Sequence, residues 1–413
     1  MFETVLSQVP RNEQKPMALR ISPVAERALR AGHPWLFSDA IESQSRDGAA
    51  GDIAVIFDRK NRFLAAGLYD PYAAIRVQVL VHGRSASIAQ PLFEERLQAA
   101  SALRRPIESG GTNGFRLVHG ENDGFGGLVI DRYDRTYVLK IYSAAWLPHL
   151  QALLDALMAI EKPLAIVLRF SRRLQQEGPL FGLADGDVLL GAVPEFGVPF
   201  VENGLGFEAD VIAGQKTGFF LDQRENRKRV EPLAKGRRVL NVFSYSGGFS
   251  LYAARGGATR VTSLDLSEKA LQAAERNFKL NETNRAVAAA GHTTLRGDAF
   301  DLLGDLAANG RSFDMVILDP PAFARRQESV SQALNAYTRL VGLGLGVLQR
   351  GGVLVAASCS SRVAADDFFV QVREAARGAG RPLSEIERTG HPLDHPITFP
   401  ESAYLKCLFA YAN

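Results

Sequence analysis

Cysteine is nearly missing from this chain: Cys359 and Cys407 are the two in 413 residues. Two thiols cannot build the disulfide framework of a small secreted fold, and no Cys-x-x-Cys pair offers zinc a half-site. A reducing cytoplasm is the expected compartment, with no metal. An excess of one charge is missing too. The 48 Lys and Arg residues against 45 Asp and Glu leave +3, so a nucleic-acid partner must be met by local patches. No run of about 18 apolar residues occurs, which argues against a membrane span. The opening "MFETVLSQVPRNEQKP" lacks the basic-then-apolar order of a secretory leader. Neither a Gly-x-Gly-x-x-Gly turn nor a phosphate-loop lysine is present, which weakens any dinucleotide or nucleotide-phosphate reading. There is no internal repeat and no low-complexity tract.

What is present is an ordinary globular composition, 46% hydrophobic and 23% charged. The length exceeds one core and predicts two or three domains. Residues 1–17 read as a flexible arm. From 18 to 88 the texture is short strands and turns: "GDIAVIFD" and "FLAAGLYD" flank "RKNR" as a hairpin, after a short helix that stops at Gly32. From 89 to 200 a helix, "PLFEERLQAASALRR", precedes the strand-like "FRLVHG", "GGLVIDRY", "RTYVLKIYS" and "LAIVLRF". From 201 to 413 strands and helices alternate, "VSQALNAYTRLVGLGLGVLQR" being read as helix throughout. Such alternation predicts an α/β fold with a mostly parallel, doubly wound sheet, whose ligands bind beyond the carboxyl ends of the strands.

Motifs fall at those strand ends. After "RRVLNV" come Phe243, Ser244, Tyr245, Ser246, Gly247 and Gly248, a glycine pair at a strand-to-helix turn that lets backbone approach a ligand. The next strand ends in Asp265-Leu266, and an acid about 20 residues after a glycine turn suits ribose hydroxyls. Asp298-Ala299 follows, where the carboxylate is placed to accept from an adenine amino group. Singly, each acid reads more simply as a helix N-cap. Together they suit an adenosyl group without phosphates, S-adenosylmethionine rather than NAD.

The fourth strand ends in Asp319-Pro320-Pro321-Ala322-Phe323, and prolines there stiffen the chain and expose carbonyls. The fifth ends in Ser358-Cys359-Ser360-Ser361. A thiolate adding to C6 of a cytosine makes its C5 nucleophilic toward a sulfonium methyl, and cysteine suits that task. The plainer reading of Cys359 is a small buried hydrophobe. Cys407, in "AYLKCLFAYA", reads as core.

At this point the chain resembles bacterial S-adenosylmethionine-dependent 23S rRNA 5-methylcytosine methyltransferases with an N-terminal PUA domain. The resemblance covers nearly the whole chain and rests on "HPWLFSDAI", "KTGFFLDQRENR", "LNVFSYSGGFSLYAA", "LDLSEKALQAAERNFKLN", "DMVILDPPAF", "SCSS" and "DHPITFPESAYLK". It implies a PUA domain, a central α/β domain and a class I, Rossmann-like methyltransferase domain. By the same resemblance, Lys216, Thr217, Phe220, Asp222, Gln223 and Arg224 close over the cofactor, with Lys216 and Arg224 reaching substrate. Asp265 then meets the ribose and Asp298 the adenine. Asp319 borders the cofactor and the cytosine edge beside Pro320, Pro321 and Phe323, and Cys359 is the nucleophile. One departure is Ala322, where wider RNA 5-methylcytosine enzymes often carry a second cysteine. Large-subunit rRNA, free or in an assembly intermediate, is the implied partner, and a homodimer is left open.

Other features read more plainly. Arg59, Arg62 and Arg76 are phosphate contacts or ordinary surface. His391 and His395 are four apart, but the prolines of "HPLDHP" forbid the helix that would align them on a metal, so a surface loop is expected. "RRLQQEG" at 172–178 reads as a solvated turn, and "RENRKR" as a solvated helix face or an RNA contact. Two competing functions remain: methylation of another RNA base such as guanine, with Cys359 as filler, and a non-catalytic RNA-binding assembly factor.

Overall fold

The computed structural model describes residues 2, 5–9, 15–178, 180–324 and 327–413. Part of the expected N-terminal arm therefore lies outside the described residues. The chain divides into two compact units. The first comprises Met1–Gly204, Glu208–Leu221 and Leu393–Phe399, and the second Leu205–Phe207, Asp222–Pro392 and Pro400–Asn413.

Two of the larger sheets lie in the first unit. A six-stranded one runs Trp35–Phe37, Ile75–His82, Phe63–Tyr69, Ile53–Phe57, Met17–Ile21, Ile41–Gln44 in spatial order. Ile53–Phe57 and Phe63–Tyr69 form the expected antiparallel hairpin. The helix Pro23–Arg30 is capped by the Ser22 hydroxyl and is followed by Gly32 at φ +87°. The second sheet orders Val188–Leu190, Ala165–Phe170, Thr136–Ile141, Leu128–Tyr133 and Gly114–His119. A distant segment completes this unit. Arg104, 1% exposed, forks onto the Asp123 carboxylate and also donates to the Asp394 carbonyl at 3.0 Å. The Asp394 carboxylate in turn accepts from the Arg116 N–H at 3.0 Å. The stretch at 172–178 is not a solvated turn. Ser171 caps a short helix, Arg172–Gln176, because Leu174 is buried and Arg173 reaches Asp70 at 3.1 Å.

The second unit carries one seven-stranded sheet. Its strands, in chain order, are β1 Arg238–Val242, β2 Arg260–Asp265, β3 Gly291–Arg296, β4 Phe313–Leu318, β5 Leu348–Ser358, β6 Leu383–Thr389 and β7 Lys406–Ala412. Their spatial order is β3-β2-β1-β4-β5-β7-β6, parallel from β3 to β5, with β7 antiparallel to both neighbours. β1 and β4 are apolar and buried on both faces, as strands covered by helices on each side must be. One helix is shorter than its sequence pattern predicts. Val330–Gly346 stops before Leu348, because glycines at 342, 344 and 346 weaken it and Leu348 pairs with Phe313 in the sheet. The order reverses between β1 and β4, so the carboxyl ends of β1, β2, β4 and β5 border the crevice where such sheets bind ligands.

Candidate active site

The turn after β1 is locally strained. Phe243 and Tyr245 lie in the left-handed region at φ +60° and +47°, which L side chains rarely adopt outside sites that over-determine them. Tyr245 is held there by its N–H, which donates to Asp265 Oδ2 at 2.8 Å. Gly247 has φ +76°, and a Cβ on it would stand 2.8 Å from that of Ala274. Gly248 is helical, and a Cβ there would stand 2.9 Å from Cδ of the buried Arg227. The bareness of both glycines is thus used on the protein side.

Around this turn, three buried polar atoms have no hydrogen-bond partner among the described residues: Ser244 Oγ, Ser246 Oγ and Asn241 Oδ1. Leaving such atoms unmet costs about 1–3 kcal/mol each, so they are poised for a ligand. Asp265 accepts from the Tyr245 and Ser267 N–H groups, one per oxygen, which leaves lone pairs for further donors. Leu266 beside it is 69% exposed and presents an apolar face. Asp298 is the N-cap of Ala299–Ala308, its Oδ1 accepting from Phe300 and Asp301, while Ala299 is buried. Hydroxyls, carboxylates and an apolar face fit an adenosyl amino acid. No lysine stands at the turn for a pyrophosphate.

The reacting edge is built from β4, β5 and their loops. Asp319 Oδ1 accepts from Gln223 Nε2 at 2.8 Å, Gln223 Oε1 accepts from Asn226 Nδ2 at 2.6 Å, and Asn226 Oδ1 accepts from the Thr389 hydroxyl. Asp222 accepts from the Tyr404 hydroxyl at 2.9 Å. The loops after β4 and β5 are pinned together: Cys359 Sγ lies 3.9 Å from the Pro320 carbonyl, and Ser360 Oγ donates to the Ala324 carbonyl at 3.1 Å. Ser358 pairs with the Tyr337 hydroxyl at 2.8 Å. The serines flanking the thiol are fully buried, whereas Cys359 itself is half-buried. Their task is to fix the turn that presents the sulfur. Burial pushes the Tyr337 hydroxyl well above the usual phenol range, so it stays neutral. Pro320 is buried and Pro321 exposed, and Phe323 packs 4.9 Å from the Tyr337 ring.

The sequence pattern of the S-adenosylmethionine-dependent methyltransferases matches residues 184–410, and that of a PUA-like domain matches residues 19–82. A ribosomal RNA large subunit methyltransferase of Deinococcus radiodurans is 47% identical over 405 residues, 97% of this chain and 98% of its own. The chain belongs to the S-adenosylmethionine-dependent methyltransferase family. Ribosomal RNA large subunit methyltransferase I of Pseudoalteromonas translucida is 37% identical over 93% of this chain and 96% of its own. Two solved structures share the fold. A SAM-dependent methyltransferase from Streptococcus mutans has TM-score 0.79 at 22% identity, and a methyltransferase complexed with SAH has 0.80 at 24%. Each covers 95% of this chain and 99% of its own. The N-terminal PUA-like domain and the class I sheet expected from the sequence are therefore present, and the methyl donor is that of the family.

Within this family member the expected site residues separate into two groups. Asp222, Gln223, Phe243 to Gly248, Asp265, Leu266, Asp298, Ala299, Asp319 to Phe323 and Cys359 all belong to the second unit. Lys216, Thr217 and Phe220 belong to the first. There Thr217 is fully buried and bonds to Asp131 and, at 3.1 Å, to the Tyr133 hydroxyl. Lys216 sits 4.7 Å from the Phe220 ring centroid. The helix carrying "RENRKR" is not a solvated face throughout: Arg224, Asn226 and Arg227 are buried, Arg224 pairing with Glu225, while Lys228 is exposed. Nor is His395 on the surface. It is 1% exposed and packs against His119, with ring centroids 4.9 Å apart and the rings tilted by 55°. His391 Nε2 accepts from the Tyr404 and Leu405 N–H groups. Arg59 and Arg62 pair with Glu26 and Asp58, and Arg76 donates to the Asp70 carbonyl. Sequence reasoning missed Tyr337, Asn226, Thr389, Tyr404 and Lys406. The one visible signal was a lysine inside the otherwise apolar run around Cys407.

Proposed function

We propose that this methyltransferase acts on C5 of a cytosine in large-subunit ribosomal RNA, with Cys359 as nucleophile. What supports the reading is the half-buried Cys359 thiol at the end of β5, tied to the carbonyl of Pro320 in the Asp319-Pro-Pro loop. The names of the relatives supply the substrate class. Ser244, Ser246, Asp265 and Asp298 would hold S-adenosylmethionine, which supplies an electrophilic methyl group when bound. The Cys359 thiolate adds to C6, forming the sulfur–carbon bond and moving the C5–C6 π electrons toward C5. Asp319, oriented by Gln223, accepts from the base edge and keeps the ring placed. Once C5 carries the methyl group, its proton leaves to a base and the sulfur–C6 bond breaks, restoring the double bond and the thiolate. In this reading the PUA-like domain, 18–88, holds the RNA and the domain 89–200 spaces it from the methyltransferase domain, 201–413. Such an enzyme works in the cytoplasm.

The test uses large-subunit rRNA from cells lacking the protein, incubated with methyl-labelled S-adenosylmethionine and either wild type or Cys359→Ala. Label recovered as 5-methylcytidine with wild type and lost with Cys359→Ala is the expected result. Label in a guanosine derivative, or full activity without the thiol, would turn Cys359 into a packing residue. Cofactor binding without transfer to any rRNA would leave a binding factor.

A further inference from the structure

Lys406 opens β7, directly opposite Ser358 at the end of β5 in the antiparallel ladder. It is 4% exposed, in a stretch where every following residue to Ala410 is buried. Its ammonium carries three protons, and three backbone carbonyls take them: Ser360, Val363 at 2.7 Å and Tyr404 at 3.2 Å. Carbonyls satisfy the hydrogen bonds but carry no net charge. Among the described residues no carboxylate forms an ion pair with Lys406. A buried ammonium without a counter-ion is costly by several kcal/mol, and such groups persist where an anion forms during function.

The Lys406 ammonium is bound by the turn that carries the Cys359 thiol and interacts electrostatically with it. Two of the three carbonyls holding Lys406, those of Ser360 and Val363, belong to the turn that carries Cys359. We propose that Lys406 is the fixed counter-ion of the Cys359 thiolate, a positioning residue that lowers the cost of ionising the nucleophile. The proposal rests on the reading of Cys359 as the reactive thiol and names the group that prepares it. Among the described residues, Arg362 lies on the same turn but is exposed, where solvent and salt screen its charge. Asp319, at the end of β4, is an anion and opposes thiolate formation. Tyr337, from the helix Val330–Gly346, is held neutral by burial, and Cys407, fully buried in β7, is pushed far up and stays a thiol. Burial pushes the Lys406 ammonium down to about 8, and the neighbouring Cys359 works in the other direction, as expected of a cation waiting for its anion.

The arrangement separates charge from hydrogen bonding. Because all three N–H bonds are spent on carbonyls, Lys406 does not need to move when the sulfur adds to a base and loses its charge. A cation donating directly to the thiolate would lose a bond at that moment and hold the sulfur back.

The experiment measures the rate of iodoacetamide alkylation of Cys359 against pH, read by peptide mass, in wild type, Lys406→Met and Lys406→Arg. Methionine keeps the length and removes the charge. The midpoint of the Cys359 profile should rise by roughly 1–3 pH units in Lys406→Met and return toward wild type in Lys406→Arg. An unmoved midpoint in a folded Lys406→Met overturns the proposal and makes Lys406 a structural strut. Should Lys406→Met fail to fold, 15N-lysine NMR of wild type and Cys359→Ser reads the same coupling from the other side, since such coupling is reciprocal. The Lys406 midpoint should then fall in Cys359→Ser, and an unchanged value overturns the proposal. Neither readout requires turnover. Loss of methyl transfer in Cys359→Ala tests the nucleophile, and the alkylation profile tests its counter-ion, so one can fail without the other.

Discussion

The glycine pair after β1 offers a sharp test, because the two residues look equivalent in sequence and are not equivalent in space. In Gly247→Ala two penalties add. The residue must hold φ +76°, which costs an L residue about 1–2 kcal/mol. Its methyl would also meet Ala274 Cβ at 2.8 Å, and both are fixed by backbone, so overpacking adds about 1–3 kcal/mol. The sum is roughly 2–5 kcal/mol. In Gly248→Ala the backbone is already helical and gains up to about 1 kcal/mol of propensity. Its methyl meets Arg227 Cδ at 2.9 Å, and a side chain, even a buried one, can turn away. The net cost should be roughly 0–2 kcal/mol. At about 2–4 °C per kcal/mol, Gly247→Ala should lower the melting temperature of the second unit by roughly 4–20 °C, and Gly248→Ala by much less. Both tryptophans, Trp35 and Trp146, lie in the first unit, so scanning calorimetry rather than tryptophan fluorescence must report the change. Equal shifts, or a larger one for Gly248→Ala, would refute the argument from φ and close approach.

Gln223→Leu removes the donor to Asp319, and losing a hydrogen bond to a charged group, about 1.5–3 kcal/mol, should lower kcat for methyl transfer by roughly 10- to 150-fold. An unchanged kcat would show that Asp319 needs no such orientation. Ellman titration should find one reactive thiol in the native protein and two in urea, because Cys407 is fully buried and its thiol is pushed up while Cys359 is half-buried. Two native thiols would contradict that packing. His292 stacks on Phe278 at 3.7 Å, and burial pushes its imidazole down to about 4. The unfolded chain therefore binds more protons between about pH 6.5 and 4, so stability is complete above pH 6.5 and falls as pH drops through that window. His292→Gln should flatten this slope in calorimetry of the second unit, and an identical slope would rule His292 out as its source.

The second unit was legible in the sequence wherever burial is two-sided. "RRVLNVFS", "FDMVILD" and "GGVLVAAS" read as strands because both faces are covered and the runs are apolar but for Asn241 and Asp314. β3 was legible only by its end, at Gly297-Asp298: "GHTTLR" itself has a single large apolar residue, and its strand character comes from pairing with β2 at the sheet edge. The site divides along the same line. Asp265, Asp298, Asp319 and Cys359 stand out because each sits where a strand stops. The groups that orient them come from far along the chain: Thr389 reaches Asn226 across 163 residues, and Lys406 reaches the Cys359 turn across 46. Spacing alone carries no trace of such contacts. His395 misled for a related reason, since two prolines and a turn composition look the same whether the loop is solvated or buried against His119.

The staple that Asp394 supplies to the first unit also sets a timetable. Arg116 and its partner are separated by 278 residues, so a ribosome adding about 5–20 residues per second reaches Asp394 roughly 14–56 s after Arg116. Through that interval the Arg104 and Arg116 groups that Asp394 will meet must be hydrated or borrowed by other partners. The first unit is thus closed by a segment made after β1 to β6 of the second, so it is not finished in order of synthesis.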